Sequence, residues 1–201
     1  MRNLQPGQWL SEKLSQRYVG DYKPFVFVDG EGVRCSLYLS GCLFACAECF
    51  SEATWNFRYG EKYTQRLEDQ ILADLGQEYV QGLTLLGGEP FLNTGVCLAL
   101  IDRVRRELGT SKDIWSWTGY TFEELLLESA DKLAMLGKID VVVDGRFELA
   151  KRDLSLQFRG SSNQQRIIDV KQSLASGQVT LWGELKDATS SYEQIEKRNL
   201  I

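Results

Sequence analysis

The chain has 201 residues, with 23 basic against 28 acidic side chains and no histidine. That length supports one domain with short appendages and a core that needs no staples. The mild acidity argues against nucleic-acid binding, no stretch approaches the roughly 18 apolar residues of a membrane span, and the lack of His removes the usual group of hydrolase triads and histidine-bound metals.

Residues 1–22 are expected to form an N-terminal helical extension. Pro6 would open a short helix carrying Trp9, Leu10, Leu14 and Tyr18 along one face. Met1 to Gly20 lack the apolar core of a signal peptide, so the expected compartment is the cytoplasm. The main domain is expected over residues 23–185. Val33–Leu39 reads as a strand, and a cysteine-bearing loop follows it. Thr64–Leu75 reads as a helix: Thr64 is placed to cap, and Leu67, Ile71, Leu72 and Leu75 share a face. Gly82–Leu86 is a short buried strand ended by Gly87-Gly88-Glu89-Pro90. Thr94–Leu108 is an amphipathic helix between a capping Asn93 and a closing Gly109. Ile114–Trp117 is a strand leading to Thr118-Gly119-Tyr120, after which Thr121 and Glu124 match a capping box. Leu133–Leu136 adds apolar helix stopped by Gly137, and strand Ile139–Val143 runs into Asp144-Gly145-Arg146-Phe147. Arg166–Val170 is a weaker strand, and residues 186–201 form a polar C-terminal tail.

Strands alternating with helices predict an α/β fold of parallel βαβ units with right-handed crossovers. The continuous apolar run Val141-Val142-Val143 fits a sheet covered on both faces. In parallel α/β folds the site lies beyond the carboxyl ends of the strands. The cysteine loop, Gly87–Pro90, Thr118–Tyr120 and Asp144–Arg146 each follow a predicted strand. All four are therefore expected on one rim.

Cys42, Cys46 and Cys49 fall in a C-x3-C-x2-C run. Three thiolates on one loop can hold three irons of a cubane cluster, whose full set is four. An iron left without a protein ligand marks a reactive site rather than a structural one. Structural zinc needs four Cys or His ligands, but here His is absent and the other cysteines, Cys35 and Cys97, stand alone in apolar runs. Five cysteines are odd in number and no signal peptide removes them from a reducing cytosol, which argues against disulfides. Plain burial suits Cys35 and Cys97 but not loop cysteines among Gly, Ala and Glu. Gly87 and Gly88 lack β-carbons where backbone would meet a ligand; a strand-ending turn is the plainer reading of such a pair alone.

The C-x3-C-x2-C run followed by Phe50, with Gly87-Gly88-Glu89-Pro90 about forty residues on, resembles the signature of radical S-adenosylmethionine (SAM) enzymes. The resemblance implies a 4Fe-4S cluster on Cys42, Cys46 and Cys49 that binds SAM at its open iron. It implies reductive cleavage of SAM to methionine and a 5′-deoxyadenosyl radical. Gly87, Gly88 and Glu89 would contact the methionyl amino group; Glu48 and Phe50 would lie near the adenine. The implied fold is an incomplete (partial) β/α barrel of parallel strands with outer helices. A full barrel averages roughly 250 residues, so residues 23–185 are expected to leave an open mouth suited to a macromolecular substrate.

Further runs resemble anaerobic ribonucleoside-triphosphate reductase activating proteins, over about residues 23 to 170. They are Ser40-Gly41-Cys42, Ser51-Glu52-Ala53-Thr54-Trp55, Trp117-Thr118-Gly119-Tyr120-Thr121, Val143-Asp144-Gly145-Arg146-Phe147 and Arg159-Gly160-Ser161-Ser162-Asn163-Gln164. This resemblance implies glycyl-radical generation on the large subunit of that reductase. It also implies reduced flavodoxin or ferredoxin as electron donor, and no catalytic side chain beyond the cluster. An activase of another glycyl-radical enzyme, such as a formate-lyase, is the alternative within the superfamily. A non-catalytic iron–sulfur or zinc module is the alternative outside it.

Overall fold

The computed structural model describes residues 5–183; the tail expected over 186–201 lies outside them. The strands Tyr18–Val26 (β1), Val33–Leu39 (β2), Glu61–Lys62 (β3), Val80–Gly87 (β4), Asp113–Trp117 (β5), Val141–Asp144 (β6) and Arg166–Asp169 (β7) form one sheet. Its order is β3-β1-β2-β4-β5-β6-β7. Neighbours β2, β4, β5 and β6 run parallel. The expectation of parallel strands throughout is corrected at both sides: β1 is antiparallel to β2 and β3, and β7 to β6. Between β1 and β2 the chain turns through Gly30 and Gly32, both at positive φ, and such a short link leaves no room for a crossover helix. Residues 145–165 likewise contain no α-helix, only the 3-10 turn Leu149–Lys151, and β7 returns antiparallel.

The helices are Ser11–Leu14 (α1), Gln65–Leu75 (α2), Thr94–Leu108 (α3), Phe122–Leu126 (α4), Ala130–Leu136 (α5) and Val170–Ser176 (α6). One face of the sheet, through Cys35, Leu37, Leu39, Leu83, Leu85, Ile114 and Val142, buries the apolar sides of α2, α3 and α5. The alternate residues Trp115, Val141, Val143 and Ile167 form a second cluster with Trp117, Phe158 and Trp182. The valine run thus divides between the two faces, as period-2 alternation requires.

Local signals set most element ends. Thr64 accepts a hydrogen bond from Leu67 N at 3.3 Å, and Thr121 and Glu124 make the reciprocal capping box. The N-terminal helix is a correction. It spans only Ser11–Leu14, Trp9 precedes it, and Tyr18 opens β1. Arg17, at φ 57°, turns the chain between helix and strand. Strand β1 has no clean apolar alternation, and its register shifts between Lys23 and Val26, around Pro24. Proline donates no ladder hydrogen bond and is confined to such irregularities.

Candidate functional site

The four parallel strands end along one edge, and the loops leaving them line an open cavity of about 190 Å³. The loop after β2 supplies Cys42, Cys46 and Cys49; the loop after β4 supplies Gly87, Gly88 and Glu89. Thr118 and Gly119 follow β5, and Gly145 and Arg146 follow β6. The rim expected from the strand order is therefore present.

The cysteine loop is built by three left-handed residues. Gly41, Ala45 and Glu48, one ahead of each cysteine, have φ of 107°, 50° and 52°. Each non-glycine residue so held costs about 1–3 kcal/mol, and the surrounding structure must over-determine it. Gly41 N donates to Thr54 O at 2.6 Å, and Cys49 N donates to Cys46 O at 3.2 Å.

The loops after β2 and β4 are stitched together. Gly88 N donates to Leu39 O at 2.8 Å, and Glu89 N donates to Gly41 O at 2.9 Å. A β-carbon at Gly88 would sit 2.7 Å from Gly41 O; one at Gly87, where φ is 100°, would sit 2.8 Å from Leu39 N. The atoms that exclude a side chain are thus the protein's own backbone. Both glycines also line the cavity. Asn93 does not cap α3 with its side chain. Its Nδ2 instead donates to Ser40 O and Glu89 O, both at 3.1 Å, and Ser11 Oγ accepts from Thr94 N at 3.0 Å.

Glu89 is buried. Its carboxylate accepts from Phe91 N at 3.0 Å, Thr118 Oγ1 at 2.9 Å and Gly119 N at 2.9 Å. Burial pushes its carboxyl up to about 7, against the pull of these donors and of Lys132. Burial likewise pushes the Cys42 thiol up to about 12, helped by Glu89 and the neighbouring cysteines. Burial raises Cys46 too, opposed by the Phe147 N–H and the charge of Arg146. Such thiols stay protonated until a metal's charge deprotonates them. Among the described residues no three Cys, His, Asp or Glu side chains are grouped to hold a single metal ion. In a cubane cluster each thiolate binds a different iron, so a loop of three cysteines facing one cavity fits that donor set.

Residues 28–168 match the family described as a 4Fe-4S single cluster domain. The anaerobic ribonucleoside-triphosphate reductase-activating protein of Vibrio cholerae serotype O1 is 44% identical over 147 residues, 71% of this chain and 92% of the relative. Its namesake in Escherichia coli strain K12 is 42% identical over 147 residues, 71% of this chain and 93% of the relative. The chain belongs to this family. The activating protein of Enterobacteria phage T4 is also similar, at 38% identity over 144 residues, 71% of this chain and 88% of the relative.

Within the 4Fe-4S domain of this activating-protein family, the cavity brings together six of the eight residues singled out from sequence: Cys42, Cys46, Cys49, Gly87, Gly88 and Glu89. Glu48 and Phe50 do not line it; both are exposed, Phe50 completely. Sequence reasoning missed Asn93, which reads locally as a cap, and Phe44, whose ring carries the Arg146 guanidinium at 5.0 Å. In the sequence Arg146 stands out only as part of a motif following a strand. A larger cavity of about 520 Å³ shares Phe44, Cys46, Gly119, Arg146 and Phe147 with the first and also includes Trp9. No helix among the described residues is long and apolar enough to cross a membrane.

Proposed function

We propose that this chain is a radical SAM activase that generates the glycyl radical on the large subunit of anaerobic ribonucleoside-triphosphate reductase. The observation that carries the reading is the convergence of the three loop cysteines with Gly87-Gly88-Glu89 on one cavity at the ends of parallel strands. Family membership supports it, because the relatives are named as activators of that reductase.

Cys42, Cys46 and Cys49 would hold the cluster. Once bound, a 4Fe-4S cluster with an open iron supplies the electron that cleaves SAM to methionine and a 5′-deoxyadenosyl radical, which takes hydrogen from a backbone glycine. The protein's part is to position and shield. Carbonyls of the Gly87-Gly88 turn accept from the methionyl ammonium. Glu89, fixed by Thr118 and Gly119, places negative charge beside it. Phe50 presents a free ring face to the adenine, with Glu48 alongside. The main domain would act as a partial barrel whose open mouth admits the reductase's glycine loop. The loop must leave its own core, an order–disorder step with an ordering cost, and contact is required because proximity controls the transfer. Reduced flavodoxin or ferredoxin would supply the electron, in the cytoplasm.

The test is anaerobic loading with iron and sulfide, then incubation with SAM, reductant and the reductase labelled with deuterium at the target glycine. We expect a glycyl radical signal by electron paramagnetic resonance and deuterium in 5′-deoxyadenosine. SAM cleavage with neither signal would reject this partner and favour another glycyl-radical enzyme. No cleavage at all, with a full cluster, would reject the radical reading.

A further inference from the structure

The segment ahead of the matched family region is pinned at four places. Gly7 N donates to Glu128 Oε2 at 3.2 Å, and the Trp9 carbonyl accepts from Lys132 Nζ at 2.7 Å. Ser11 Oγ accepts from Thr94 N at 3.0 Å, and Ser15 Oγ donates to Asn93 Oδ1 at 2.8 Å. Lys132 is fully buried and paired with Glu128 at 2.9 Å. A lysine is taken out of water only where its charge and donors are matched, so this attachment is part of the folded core.

Two of these anchors lead to the cysteine loop. The Trp9 ring meets the Phe44 ring edge-on, with centroids 5.2 Å apart. Phe44 lies in the loop between Cys42 and Cys46 and lines the same cavity as both. Tyr120 and Arg146 hold other sides of the same ring. The second path runs from Ser15 to Asn93, whose amide spans Ser40 O and Glu89 O. Trp9 also shares the 520 Å³ cavity with Ala45 and Cys46.

We propose that residues 7–15 are a positioning clamp on the cysteine loop, in which Trp9 acts through Phe44 and Ser15 acts through Asn93. The inference rests on the reading that this loop carries the cluster. It gives a role to a stretch that lies outside the matched 4Fe-4S domain. Trp9 and Ser15 are positioning residues; neither meets the reacting atoms.

The test uses the full chain with Trp9→Leu, Trp9→Phe and Ser15→Ala. In the cluster-free protein, maleimide labelling is read cysteine by cysteine by mass spectrometry. Trp9→Leu should speed labelling of Cys42 and Cys46 about fivefold, the factor an edge-to-face aromatic pair is worth. Trp9→Phe should stay near wild type, Ser15→Ala should show a smaller rise, and buried Cys35 and Cys97 should stay protected. After anaerobic loading, Trp9→Leu should also shift the reduction potential of the cluster, because losing the ring packed on Phe44 changes the solvent exposure around the sulfurs. Unchanged labelling and potential in Trp9→Leu overturn the clamp, even if the wild type cleaves SAM. If Trp9→Leu also exposes Cys35 and Cys97, the chain has unfolded and Ser15→Ala decides: no rise overturns the clamp. The expected labelling pattern in a wild type that takes up no iron would reject the activase reading and leave the clamp standing.

Discussion

Replacing Gly88 by Ala tests which surface these glycines serve. The new β-carbon would lie 2.7 Å from Gly41 O and 3.0 Å from Gly41 C and N. These are backbone atoms that cannot rotate away. Gly41 O is also the acceptor for Glu89 N, at 2.9 Å. Relief therefore requires the loops after β2 and β4 to part. Overpacking of this kind costs about 1–3 kcal/mol, and loss of one hydrogen bond adds about 1 kcal/mol. The sum is about 2–4 kcal/mol, a fall of roughly 5–15 °C in Tm for a chain of this size. Gly95→Ala is the control: a β-carbon at this position in α3 would have nothing within 4 Å, so the substitution should stabilise by about 0.5–1 kcal/mol. The assay is thermal unfolding of the cluster-free chain, followed by iron analysis after anaerobic loading. Gly88→Ala should lower both Tm and bound iron. An unchanged Tm with full iron, and loss of SAM affinity alone, would refute this account and return the glycine to ligand clearance.

Two other expectations are simpler to check. Cys46→Ala should lose most of its iron on anaerobic loading, whereas Cys35→Ala and Cys97→Ala, whose thiols are buried in the core, should keep the wild-type iron content; equal iron in all three would remove Cys46 from the ligand set. Asp140 joins Arg105 at 2.5 Å, Ile114 N at 2.7 Å and Lys171 at 2.5 Å. Burial pushes its carboxyl up, but Lys171, Arg105 and the Ile114 N–H together hold it below its ordinary 3.8. A depressed folded value gives stability that is complete above the unfolded value and lost as pH falls through the folded one. Denaturant titrations should therefore show wild type losing stability below about pH 4, with a flatter acid limb in Asp140→Asn; parallel limbs would contradict the assignment.

Much of the architecture was legible in the chain because near neighbours set it. The bounds of β2 and α3, the Thr64 cap and the Thr121–Glu124 box depend on residues within a turn or a short strand of one another. The shared rim followed too, since parallel strands place their successors at one edge. The tertiary structure added β1, whose lack of apolar alternation hides it as a strand, and turned β7 antiparallel after a connection that carries no crossover helix. Glu89 reads as a free acid until Thr118 and Gly119 are folded onto it. Asn93 reads as a cap until Ser40 arrives from the other loop. Trp9 reads as one face of a helix until Phe44 and Lys132 meet it. Each of these partners lies dozens of residues or more away along the chain. Local propensity and periodicity report only on neighbours, whereas contacts between distant segments exist only once the chain has packed.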